Sequence, residues 1–138
     1  MNSPTIIALL GFIAWALFLL VLMESIRSKM VLTKEVAPNG FNPENSNLSS
    51  FMQRLARAHA NCIEGLPIFG GLMIAALVTS NAAITDPLAY IFLGARIVQS
   101  LIHLASLSPA AVTMRFSAFA VQMIIGVYWC YQLLEALI

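Results

Sequence analysis

From Ile6 to Met23 the chain runs without a single polar side chain, and the run stops at Glu24, Arg27 and Lys29. A helix needs about 20 mostly apolar residues to cross a bilayer core of about 30 Å. This segment therefore predicts a membrane span, and it sets the solvent for whatever follows it. Composition carries the point to the rest of the chain. Sixty per cent of the 138 residues are hydrophobic and 9% are charged, against roughly 25% charged in a soluble domain. One aqueous core of this size could not hide so much apolar surface.

Turn formers divide the remainder into three more spans. Lys34 to Ser50 is a polar loop holding Pro38, Asn39, Gly40 and Asn42-Pro43-Glu44-Asn45-Ser46, residues that end one helix and precede the next. Ser50 with Gln53 fits a capping box, so a second helix is expected from near Phe51 to about Val78. Asn81 to Asp86 reads as a short turn, and Asp86-Pro87 as an N-cap with proline in the first helical turn. A third helix is then expected over about Leu88 to Leu107. Ser108-Pro109 repeats the signal and opens a fourth helix that runs to the C-terminus. The expected fold class is all-α, an integral membrane four-helix bundle forming one domain over residues 1–138, with no internal repeat. No cation precedes Ile6 and no small-x-small pattern follows the first run, so that run is expected to be retained rather than cleaved.

Orientation follows from the cations. Arg27, Lys29, Lys34, Arg54 and Arg57 flank or occupy the first loop, and Arg115 lies near the third connection. The first and third loops are expected in the cytoplasm, with the N- and C-termini on the non-cytoplasmic side. A net charge of +1 leaves no basic footprint for nucleic acid. Cys62 and Cys130 are too few for a disulfide framework and are expected to pack. His59 and His103 have no third partner at metal-ligand spacing, so no metal site is expected. Tyr128, Trp129 and Tyr131 read as an interfacial aromatic belt. Gly70, Gly71 and Ala75 read as a small-residue packing face.

The polar residues inside the spans are what lipid cannot explain. On the second helix Arg54, Arg57, Asn61 and Glu64 fall within an arc of about 80°, at 100° per residue. On the third, Arg96, Gln99 and His103 fall within about 60°. Ions exposed to lipid cost several kcal/mol, so both stripes should face protein or a water-filled cavity. Arg54 and Arg57 lie near a helix start, from which a cation can snorkel to phosphate. Glu64 lies too deep for that. Two accounts stand: a structural network built on a Glu64–Arg96 ion pair, or a polar ligand pocket. Buried charge is a poor route to stability, which favours the pocket. Four helices offer little room to bury two polar stripes, so packing between subunits is expected to supply the missing surface. His59 lies beside the stripe. Pro67 removes one backbone donor just above Glu64 and is expected to kink the second helix.

The run Arg57-Ala58-His59-Ala60-Asn61-Cys62-Ile63-Glu64-Gly65-Leu66-Pro67 resembles the R-A-x-x-N-x-x-E-x-x-P signature of the MAPEG family, the membrane-associated proteins of eicosanoid and glutathione metabolism. Length, four spans, a long first loop and an arginine at the head of the fourth helix agree with it. The resemblance implies a homotrimer that holds glutathione between adjacent subunits near the cytoplasmic side. It implies that Asn61 and Glu64, with Arg57, His59, Arg96, Gln99 and His103, bind the tripeptide or shape its pocket. Arg27 is similar to a family cation that binds a glutathione carboxylate. Arg115 resembles the arginine that stabilises the glutathione thiolate in catalytic members.

The sequence also departs from the family pattern. Ile97 and Leu101 stand where catalytic members often carry tyrosines, and Gln99 and His103 replace other residues of the third helix. The implied activity is a glutathione-dependent transferase or peroxidase acting on lipophilic electrophiles or lipid hydroperoxides in the membrane. The alternatives are a non-catalytic lipid-binding scaffold of the same fold, or a small transporter. A transporter should place its acid at mid-membrane, whereas these residues gather toward one side.

Overall fold

The computed structural model describes residues 3–138. Four helices are long and apolar enough to cross a membrane: the first Pro4–Leu32, the second Ser50–Val78, the third Ala82–Ala105 and the fourth Pro109–Leu137. There is no strand among the described residues. At 1.5 Å per residue the 29-residue helices are about 43 Å long, so they outreach a hydrocarbon core of about 30 Å. The first helix accordingly continues about two and a half turns past Met23, where its apolar run ends.

The third helix is the hub of the bundle and packs against each of the other three, while the fourth leans chiefly on the third. The core is apolar and aromatic. Phe92 lies 5.7 Å from Phe12, 4.9 Å from Phe69 and 5.5 Å from Trp129, ring centre to ring centre. Trp129 is fully buried, which corrects its expected place in an interfacial belt. Its neighbours Tyr128 and Tyr131 are exposed, so one helical face carries the tyrosines outward and the opposite face buries the tryptophan.

Helix boundaries show what local sequence can and cannot decide. The Ser108-Pro109 signal holds: the Ser108 side chain accepts from the Ala111 amide at 3.2 Å. The second helix is capped one residue earlier than expected, by Ser49, whose side chain accepts from the Met52 amide. Gln53 then reaches back to the Leu48 carbonyl, not to the cap.

The Asp86-Pro87 reading needs correcting. The third helix begins at Ala82 and carries Pro87 inside it. Asp86 serves another helix: its carboxylate accepts from the Ser3 hydroxyl at 2.7 Å and the Thr5 amide at 3.0 Å, so it caps the first helix from across the bundle. Long-range capping satisfied the aspartate, and packing against the first helix outweighed the proline's cost.

In the second helix Pro67 lies within a π-helical turn, Leu66–Gly70, where a kink was expected. A wider turn relieves the ring's clash with the preceding turn while the helix continues to Val78. Of the two glycines in the expected small-residue face, Gly70 packs closely, with a Cβ there lying 3.4 Å from a Leu9 methyl. A Cβ on Gly71 would meet open space.

Candidate functional site

The third-helix stripe lies inside the protein. Arg96 is fully buried, and Gln99 and His103 are buried beside it. The guanidinium is held by apolar and amide neighbours with no acid among its hydrogen-bond partners. Nη1 donates to the Asn61 Oδ1 at 2.6 Å, and the plane sits 5.2 Å from the Phe12 ring and 6.0 Å from Phe119. Gln99 Nε2 donates to the same Asn61 oxygen at 3.0 Å, and its own Oε1 accepts from Gln122 Nε2 at 2.7 Å. One chain of amides thus links the second, third and fourth helices.

This network is incomplete. Arg96 Nε and Nη2, Gln122 Oε1 and His103 Nε2 are buried and find no hydrogen-bond partner among the described residues. A buried unpaired donor costs on the order of 1–3 kcal/mol, more when charged. The Glu64–Arg96 pair that would relieve it is absent: the ion pair among the described residues is Arg27–Glu24 at 3.0 Å. Glu64 is instead exposed.

Glu64 and Asn61 line a groove of about 740 Å³ between the second and fourth helices. Apart from them its walls are apolar, among them Pro67, Ile68, Leu72, Phe119 and Met123. Two glycines shape it. Gly65 lines the groove directly in front of the buried guanidinium, since a Cβ there would lie 2.9 Å from Arg96 Nη2. Gly126 receives the Phe69 ring, 2.7 Å from where its Cβ would be. The missing Cβ of Gly65 lets the unpaired donor approach the groove wall.

The remaining candidates divide into two groups. Arg57 is exposed and Arg115 half-buried, and these two cations are the ones whose charge reaches the His103 imidazole. They therefore share one end of the site. His59 is half-buried and is reached by the charges of Glu24 and Arg27 on the first helix. Arg27 itself is engaged by the first loop, apart from the Arg96 network. Arg54 donates from Nε to the Leu104 carbonyl at 2.8 Å, tying off the end of the third helix. Cys62 is buried against Ser100, whereas Cys130 is exposed and lines the groove, correcting its expected packing role. Gln122 was not anticipated. An amide within an otherwise apolar stretch of the fourth span is as anomalous as Gln99 in the third.

Four membrane-length helices around a buried polar centre define a polytopic integral membrane protein. Residues 5–134 match the model of the MAPEG family, and the chain belongs to that family. No curated protein and no solved structure matches it.

Proposed function

We propose that this protein is a glutathione-dependent transferase or peroxidase acting on lipophilic electrophiles or lipid hydroperoxides within the membrane. The observation that carries the reading is the buried Arg96 guanidinium, with two of its nitrogens unpaired, set behind the Gly65–Asn61 wall of an apolar groove. Such an arrangement suits a ligand that brings acceptors to a dry site. Family membership supports glutathione as that ligand.

The donor set fits the tripeptide's chemistry. Arg57, Arg96 and His103 offer positive or donor groups for its carboxylates, and Glu64 offers an acceptor for its ammonium. Asn61 and Gln99 offer amides for its backbone, and His59 borders the same helix. When bound, glutathione supplies the thiol. We assign the action on it to Arg115: a guanidinium stays charged at any working pH, and each unit by which it lowers a thiol pKa from about 8.5 corresponds to about 1.4 kcal/mol. The apolar groove would deliver the lipophilic partner from the bilayer. We read the working unit as a homotrimer, with the first and third loops in the cytoplasm and both termini outside.

A lipid-binding scaffold is the competing reading, favoured by groove walls that are apolar over most of their length. Purified protein titrated with glutathione, with thiolate absorbance followed against pH, separates the two. The catalytic reading expects thiolate near neutral pH and conjugation of a panel of electrophiles. It also expects Arg115→Ala to lower turnover by about tenfold, or about 1.4 kcal/mol of barrier, while affinity changes less. Titration and turnover that ignore Arg115→Ala would leave the scaffold as the account.

A further inference from the structure

The first loop is organised around one side chain. Arg27, one turn past the end of the apolar run, donates from Nε and Nη2 to the Asn45 Oδ1, and from Nη2 to the carbonyls of Asn42 and Pro43, each at 3.3 Å. Its Nη1 meets Glu24 Oε1 at 3.0 Å and its plane lies 5.4 Å from the Phe41 ring. All three guanidinium nitrogens are thereby engaged.

The residue it grips does more than close the loop. Asn45 is fully buried and adopts a left-handed backbone conformation, φ 57°, a region asparagine tolerates better than most residues. Its oxygen receives Arg27 while its Nδ2 donates to the Met52 carbonyl at 2.8 Å, in the first turn of the second helix. The backbone around it is tied as well, with Asn45 N bonded to Asn42 O and Leu48 N bonded to Asn45 O. A single amide therefore joins the end of the first helix to the start of the second. Arg57, Asn61 and Glu64 follow Met52 on that helix, so its axial position sets where Asn61 and Glu64 meet the groove.

We propose that Arg27 is a positioning residue: through Asn45 it clamps the first loop onto the first turn of the second helix and fixes the register of Arg57, Asn61 and Glu64. The inference rests on the glutathione reading above, and it gives Arg27 a role other than the carboxylate contact that the family resemblance implies. A buried amide with both ends occupied cannot itself be a ligand contact, which is what makes the two roles separable.

The test compares Arg27→Ala, Asn45→Gly and the double variant in the full-length protein in nanodiscs. Glycine is chosen at 45 because it keeps the left-handed backbone while deleting the amide. Glutathione affinity is measured by calorimetry, and loop order by hydrogen exchange of the amides of residues 40–56. Positioning predicts that each single change weakens glutathione by about tenfold. It also predicts that the double change is no worse than either alone, since both cut one relay. Arg27→Ala weakening binding while Asn45→Gly leaves it within twofold would overturn the proposal, as would two losses that add. Asn45→Asp sharpens the test, because it keeps the acceptor for Arg27 but loses the donor to Met52. It should leave residues 40–46 protected and still cost affinity, and preserved affinity counts against the relay. If the wild-type protein binds no glutathione, the functional reading fails by itself. The relay then stands or falls on exchange: faster exchange at 50–56 in both Arg27→Ala and Asn45→Gly supports it, and unchanged exchange there refutes it.

Discussion

Two polar clusters are buried in this bundle, and they are finished to different degrees. At the end that carries the start of the first helix, Asp86 accepts from Ser3 and twice from Thr5, and the Thr5 and Thr85 hydroxyls meet each other. Thr85 and Thr5 are fully buried, yet no buried polar atom of the cluster lacks a partner. Around Arg96 the same kind of groups are joined across three helices, and four polar atoms are left over. The two indole nitrogens of Trp15 and Trp129 are the other unpaired buried atoms; neither belongs to a network. A closed cluster stabilises what it joins. An open one costs stability, and its persistence points to a partner from outside the chain.

The sharpest way to break this comparison is to replace Arg96 by methionine. Exchanging a buried ion for an apolar side chain of similar length is often neutral or stabilising, so thermal unfolding in detergent should move little or upward. Glutathione affinity should fall by about a hundredfold or more, the scale of losing a buried charged contact. Affinity that survives the change would remove Arg96 from the site, and a collapse in melting temperature would make its network structural after all. Gly65→Ala should act more gently. Its Cβ would lie 2.9 Å from Nη2, so the guanidinium must shift, and a loss of several-fold in affinity with unchanged melting temperature is expected. The smallest functional effect belongs to the closed cluster. Asp86→Ala should lower stability by about 1–2 kcal/mol, the scale of a lost cap, with turnover per folded protein unchanged. A turnover change there would mean that the two clusters are coupled.

The sequence and the structure agree where lipid imposes the rule. Ile6 to Met23 cannot be anything but a span, and the inward-facing stripe of Arg96, Gln99 and His103 follows from the cost of exposing those groups to hydrocarbon. Local signals were read correctly only where their partners were also local. Ser108 caps its own helix and was legible, whereas Asp86 caps a helix some eighty residues away and could not be told from a local cap. Glu64 illustrates the same boundary within the site. Angular position puts it on one face with Asn61, and both line the groove, but only Asn61 reaches the buried guanidinium. Asn61 turns to Arg96, and Glu64 faces outward. The role of Asn45 depended on a fold of the loop that no periodicity describes.

The choice of an amide as the main partner of Arg27 bears on how the protein responds to its medium. Four residues beyond Met23, the backbone of Arg27 lies about 6 Å past the apolar run, where a span that fills a hydrocarbon core of about 30 Å gives way to the headgroup layer. Charge pairs in that layer weaken as ionic strength rises, because the Debye length shrinks from about 10 Å at 0.1 M to about 3 Å at 1 M. The Glu24 contact is exposed to that weakening. The grip on Asn45 and on the carbonyls of Asn42 and Pro43 involves neutral acceptors at hydrogen-bond distance, one of them fully enclosed. The loop is therefore fastened by contacts that salt and anionic headgroups compete with poorly, and its order should be nearly the same in a zwitterionic bilayer as in an acidic one.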